Sequence, residues 1–157
     1  MWLKRLWNAS VFAPISNPHS VSDTLATLFH RSAATVYMLL SLWGAVGWYF
    51  GLNTMSSLWG DPIQDSYSLL VFVTAISASI GATFFPKHAR TELLFASALV
   101  GLLVLYSASI VVYLFTFGDT FDIRMALLVL SLTGWVLPIA RCVFVYRILI
   151  SVAKYYP

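Results

Sequence analysis

Chemistry in this chain falls to very few residues. Charged side chains make up 10% of its 157 residues and hydrophobic ones 60%. Three histidines and a single cysteine are the soft ligands and nucleophiles on offer. His19, His30 and His88 all fall outside the middle of any long apolar run, so their spacing gives neither a haem-bridging pair nor a proton relay across a bilayer. One cysteine, Cys142, excludes an intramolecular disulfide and a Cys-rich metal site. Asp61 and Asp65 share a loop, which is too little for a cation site. No nucleophile, base and orienting group recur at a catalytic spacing. A non-enzymatic protein is therefore expected, with no catalytic residues, no cofactor and no metal.

An ionisable group inside a membrane span is the default place to look for transport or catalysis, because keeping it there is expensive. The first three apolar runs hold none. In the fourth, Arg141 follows Pro138. Two readings are open for Arg141: a side chain that snorkels to the cytoplasmic interface, with Arg147 just beyond, or an arginine facing the bundle as a gate or anion site. The sequence favours snorkelling, since a charge at the bilayer centre costs roughly 2.5–3.5 kcal/mol on insertion scales. Pro138 removes a helix hydrogen bond from the Gly134 carbonyl; ordinary packing tolerance of proline in membrane helices is the favoured reading, and a kink or polar site at Pro138 and Arg141 is the alternative. The segment Lys87-His88-Ala89-Arg90-Thr91-Glu92 reads as a solvated basic turn, with Lys87 and Arg90 placed to meet lipid phosphate.

These residues are positioned by long apolar elements. A charged fraction of 10% is too small to coat a water-exposed domain, where about 25% is usual. The expected fold is all-α: an integral membrane four-helix bundle with a short amphipathic interfacial helix at its N-terminus. Spans are expected at about 32–52, 67–85, 92–117 and 123–146, within a helical domain at 32–153. An arm at 1–31 and a tail at 154–157 flank it. Each run is long enough for a hydrocarbon core of about 30 Å, and backbone groups in lipid must be satisfied within the segment. Asp65 or Ser66 is expected to cap the second helix and Asp122 the fourth. In the arm, Trp2, Leu3, Leu6 and Trp7 fall on one arc and Lys4, Arg5 and Asn8 opposite, the pattern of an interfacial helix. Polar residues interrupt this stretch too often for a signal peptide.

The nine lysines and arginines divide eight to one between alternate connections. By the positive-inside rule this places both termini in the cytoplasm, in what is expected to be a cytoplasmic membrane. Trp43, Trp48, Tyr49, Trp59 and Tyr67 are expected at the outer interface. The basic residues are spread along the chain rather than clustered, so nucleic acid is not an expected partner. The lipid bilayer is one.

Small residues at helical spacing point to other helices as partners. Ser77 and Gly81, and Ser97 and Gly101, form small-xxx-small pairs that let backbones approach closely. They serve either the chain's own bundle or its assembly with itself or other membrane subunits. Hydroxyls at Thr74, Ser77, Ser79, Thr83, Ser107 and Ser109 are interhelical glue or the lining of a wet path. Small multidrug exporters need a carboxylate in the first span, quinone-linked disulfide-forming proteins need paired cysteines, and cytochrome b561-type proteins need histidines within spans. None of those is present. In its lean layout, short turns and basic ends the chain resembles phage holins, a likeness of architecture that no motif carries. The expected function is helix–helix assembly, as a homo-oligomer or as a subunit of a larger complex. The holin resemblance implies the alternative, a permeabilising or channel-forming oligomer.

Overall fold

The computed structural model describes residues 21–84, 87–117 and 121–155. All regular structure among them is helical: α1 Val21–Phe50, α2 Asn53–Trp59, α3 Asp61–Thr83, α4 Ala89–Phe117 and α5 Phe121–Tyr155. Three of these, over Thr27–Phe50, Asp61–Thr83 and Ala89–Phe117, are long and apolar enough to cross a membrane. That is the expected solvent for helices whose outward faces carry Leu39, Leu42, Ile80, Leu94 and Phe115, all exposed. A membrane location follows from these spans.

The helices pack in sequence: α1 on α3, α3 on α4 and α4 on α5, with α2 resting on α3 and α4. α1 and α5 touch at only a few positions. The α1–α3 seam is built from small residues. A methyl group on Gly44 would stand 2.6 Å from the Phe72 amide nitrogen, so two backbones are in direct contact there. Ala34, Tyr37 and Ser41 of α1 are buried, as are Ala75, Ala78 and Ser79 of α3. Ser79 Oγ donates to the Ala34 carbonyl across the seam at 3.2 Å.

Two glycines make the turn region possible. Gly51 and Gly60 have φ of 81° and 85°, where a side chain would be strained. Gly60 ends α2, its amide donating to the Ser56 carbonyl at 2.9 Å, and precedes Pro62 in the first turn of α3. Proline suits that turn because its missing N–H would have no partner there. The second long helix therefore begins at Asp61, earlier than the expected 67. Asp65 and Ser66 lie inside it instead of capping it, and Ser66 Oγ donates back to the Pro62 carbonyl. Two of the five aromatics expected at the outer interface are turned inward. Tyr67 is buried and donates to the Leu102 carbonyl at 2.9 Å, while half-buried Trp43 meets Tyr106 edge-on at 5.0 Å. Trp48, Tyr49 and Trp59 are exposed.

α5 is one continuous helix through Pro138, and it runs on to Tyr155, past the expected end at 146. At 1.5 Å per residue it is about 50 Å long.

Candidate functional site

Gly81, near the end of α3, has no side chain, and this lets the first turn of α4 lie directly on it. A Cβ there would come within 2.8 Å of the Glu92 backbone. α4 begins at Ala89, so Glu92 belongs to a helix and not to a solvated turn, and it is wholly buried. The reason is the side chain opposite. Arg141 of α5 is also 0% exposed. Its Nε donates to Glu92 Oε1 at 2.5 Å and its Nη2 to Oε2 at 3.0 Å. This is the planar fork-to-fork geometry that arginine, unlike lysine, offers a carboxylate. Both oxygens take a charge-assisted bond, which is the condition for burying the two charges at all.

Aromatic rings close the remaining sides. The Arg141 guanidinium carbon lies 5.5 Å from the Phe29 ring centroid and 5.4 Å from that of Phe144, within cation–π range. Phe29 and Phe144 meet edge-on at 5.4 Å, and His30 packs on Phe144 at 5.7 Å. Arg141 thus joins three helices: α1 through Phe29, α4 through Glu92, and its own. Cys142 follows it, half-buried, with Sγ 3.8 Å from Ser97 Oγ. Tyr37 of α1 is fully buried, within electrostatic reach of Glu92, Cys142 and Arg141.

The snorkelling reading of Arg141 gives way here. Its head points into the bundle, because a carboxylate on the neighbouring helix supplies the counter-charge that a lone arginine lacks. Glu92 is the residue the sequence reading missed. Spacing alone does not pair positions 92 and 141, and the surrounding Lys87, His88 and Arg90 disguise Glu92 as part of a polar turn. Lys87 and Arg90 themselves are exposed. Pro138 is buried within α5.

The small-residue positions separate. Gly81 faces α4 within the chain. Ser77 donates to the Val73 carbonyl of its own helix at 2.8 Å. Ser97 is exposed and donates to the Leu93 carbonyl. Gly101 is exposed with nothing within 4 Å of where its Cβ would stand. Trp2, Lys4, Arg5 and Trp7 lie outside the described residues. Among the described residues no three of His, Cys, Asp and Glu gather as they would around a metal.

Compared with protein families, curated proteins and solved structures, the chain matches none.

Proposed function

We propose that this chain is a non-enzymatic four-helix membrane protein that acts by helix packing, as a homo-oligomer or as a subunit of a larger membrane complex. The observation that carries this reading is the paired burial of Glu92 and Arg141: the buried carboxylate accepts from two guanidinium nitrogens. A pair held in that way is a clasp between helices, and its removal from lipid leaves the outer faces apolar. α5 is the fourth span in this reading. Phe121 to Arg141 covers about 30 Å of helix, which brings the clasp to the level of the opposite hydrocarbon boundary. Both termini are cytoplasmic, with Lys87 and Arg90 at the inner surface and α2 at the outer one.

The holin-like alternative rests on hydroxyls meeting water in an assembled pore. Thr74, Ser77, Ser97 and Thr116 each donate to a carbonyl three or four residues back in their own helix. A hydroxyl bonded in this way can face lipid without a polar partner, which favours packing over a wet path.

The test is the mass of the protein extracted directly into native nanodiscs, with everything that travels with it. A discrete homo-oligomer, or a one-to-one presence in a larger assembly, is expected. A stable monomer that co-purifies with nothing overturns the proposal. A homo-oligomer that also dissipates membrane potential on controlled expression would move the reading to the permeabilising alternative.

A further inference from the structure

α5 is fastened to the bundle at two levels, and the turn between them is built to bend. On the outer side Ser131 Oγ and Ser107 Oγ of α4 share a bond at 2.8 Å. On the inner side Arg141 holds Glu92, and Phe144 meets Phe29 edge-on at 5.4 Å. Gly134 and Pro138 stand between these two fastenings. Pro138 has no N–H for the Gly134 carbonyl, and its ring crowds that same carbonyl. The crowding falls on a glycine, the residue with the most backbone freedom. Nothing stands within 4 Å of where a Gly134 Cβ would be, whereas Gly44 and Gly81 each receive a neighbouring backbone. The missing side chain of Gly134 therefore serves no close approach. It leaves that turn of α5 free to bend.

We propose that the inner half of α5 is a hinged arm, latched by Glu92 and Arg141, that swings about Gly134 and Pro138 to open one end of the bundle. Little besides the latch opposes the swing, since α1 and α5 touch at only a few positions. The latch itself is reversible in energy: the attraction within a buried ion pair is largely offset by the hydration both charges lose. Glu92 lies in the first turn of α4, at the end where Lys87 and Arg90 are exposed, so a short outward movement returns both charges to water. From Pro138 to Ile150 the arm is about 18 Å long. A bend of about 20°, where proline kinks begin, moves its tip by about 6 Å over that length. The device works in a single chain and does not depend on assembly.

The experiment is double electron–electron resonance between paired spin labels, in phosphatidylcholine nanodiscs and a Cys142→Ser background. Labelled protein is diluted with unlabelled protein, so that only distances within one chain are read. Ile80→Cys with Ile150→Cys spans α3 and the arm, and Ile63→Cys with Val129→Cys spans α3 and the outer half of α5; all four positions are exposed. In Glu92→Leu, the 80–150 distance is expected to broaden or shift by about 6 Å, the displacement of a 20° kink, while the 63–129 distance is unchanged. Adding Gly134→Ala and Pro138→Ala, which stiffen the turn, is expected to restore the original 80–150 distance. An 80–150 distance that does not change in Glu92→Leu means that the ion pair is no latch. A shift that survives the stiffened turn, or that the 63–129 pair shares, means that α5 moves as a rigid rod. Either result overturns the proposal. If Glu92→Leu does not fold, Arg141→Lys, which keeps the charge and loses the two-bond fork, is read by the same outcomes.

Discussion

At the scale of single residues, the Glu92–Arg141 pair sets the largest energies. Two buried charges that bond each other are near balance, but one of them alone is not. Removing a single partner of a buried pair typically costs about 3–5 kcal/mol, whereas replacing both by apolar residues of similar volume is often neutral. Arg141→Met alone is therefore expected to destabilise the bundle by about 3–5 kcal/mol, because it strands the Glu92 carboxylate. Adding Glu92→Leu to it should restore most of that loss. Unfolding free energies of the four proteins in a bilayer, measured as a double-mutant cycle, check this; a double variant as unstable as the worse single one would mean that the pair does not act as a unit. Gly81 makes a second, steric prediction. Gly81→Ala drives a methyl into the Glu92 backbone at 2.8 Å, and overpacking of this kind costs typically 1–3 kcal/mol. Gly101→Ala meets open space and is expected to leave the fold of the single chain unchanged or slightly more stable, since alanine is the better helix former by up to about 1 kcal/mol. The same unfolding measurement on both variants decides it.

Among the elements, the seams differ from the lipid faces in where hydroxyls send their protons. Ser79 donates across to the Ala34 carbonyl. Ser107 Oγ and Ser131 Oγ share a bond across helices at 2.8 Å that either can donate, with Ser107 also reaching the Leu103 carbonyl of its own helix. Ser77, by contrast, bonds only to its own helix. Interhelical bonds of this kind in membrane proteins average about 0.6 kcal/mol and reach about 1.7. Ser79→Ala and Ser107→Ala are thus expected to lose roughly that much, and Ser77→Ala close to nothing. A loss at Ser77 equal to that at Ser79 would show that Ser77 contacts another helix, from this chain or a second copy. The apolar spans behind these seams are legible in the sequence because length and hydropathy alone decide them. The seams are less so. Gly81 is legible as a small residue in a small-xxx-small pair, but whether it faces lipid, a partner or its own chain depends on the rotation of α3. Gly44, which lies against the Phe72 backbone, has Leu40 and Trp48 four residues to either side, so it forms no small-xxx-small pair and declares nothing. Gln64 is similar. It reads as part of a polar loop, yet α3 begins early enough to bury it, and its Nε2 donates to the Gly47 carbonyl at 2.9 Å. Glu92 was hidden for the same reason, since its burial is decided by Gly81 and Arg141, which lie on other helices.

For the whole molecule, charge rather than contact decides orientation. Glu92 and Arg141 neutralise each other inside the bundle, which leaves Lys87, just before α4, and Arg90, in its first turn, exposed at that end. Asp61 and Asp65 are exposed at the opposite end of α3. The two ends of one helix of 23 residues, about 34 Å long, thus differ in sign, and lysine and arginine are held on the cytoplasmic side. α2 joins the acidic end and carries Ser57 in an exposed position. Cys142 is the only native thiol, so Cys142→Ser gives a clean background for single cysteines. In intact cells, an impermeant thiol reagent is expected to label a cysteine at position 57 and to leave one at position 87 unlabelled until the membrane is opened. The reverse pattern would turn the molecule over and put both termini outside. It would also move the buried clasp to the outer surface.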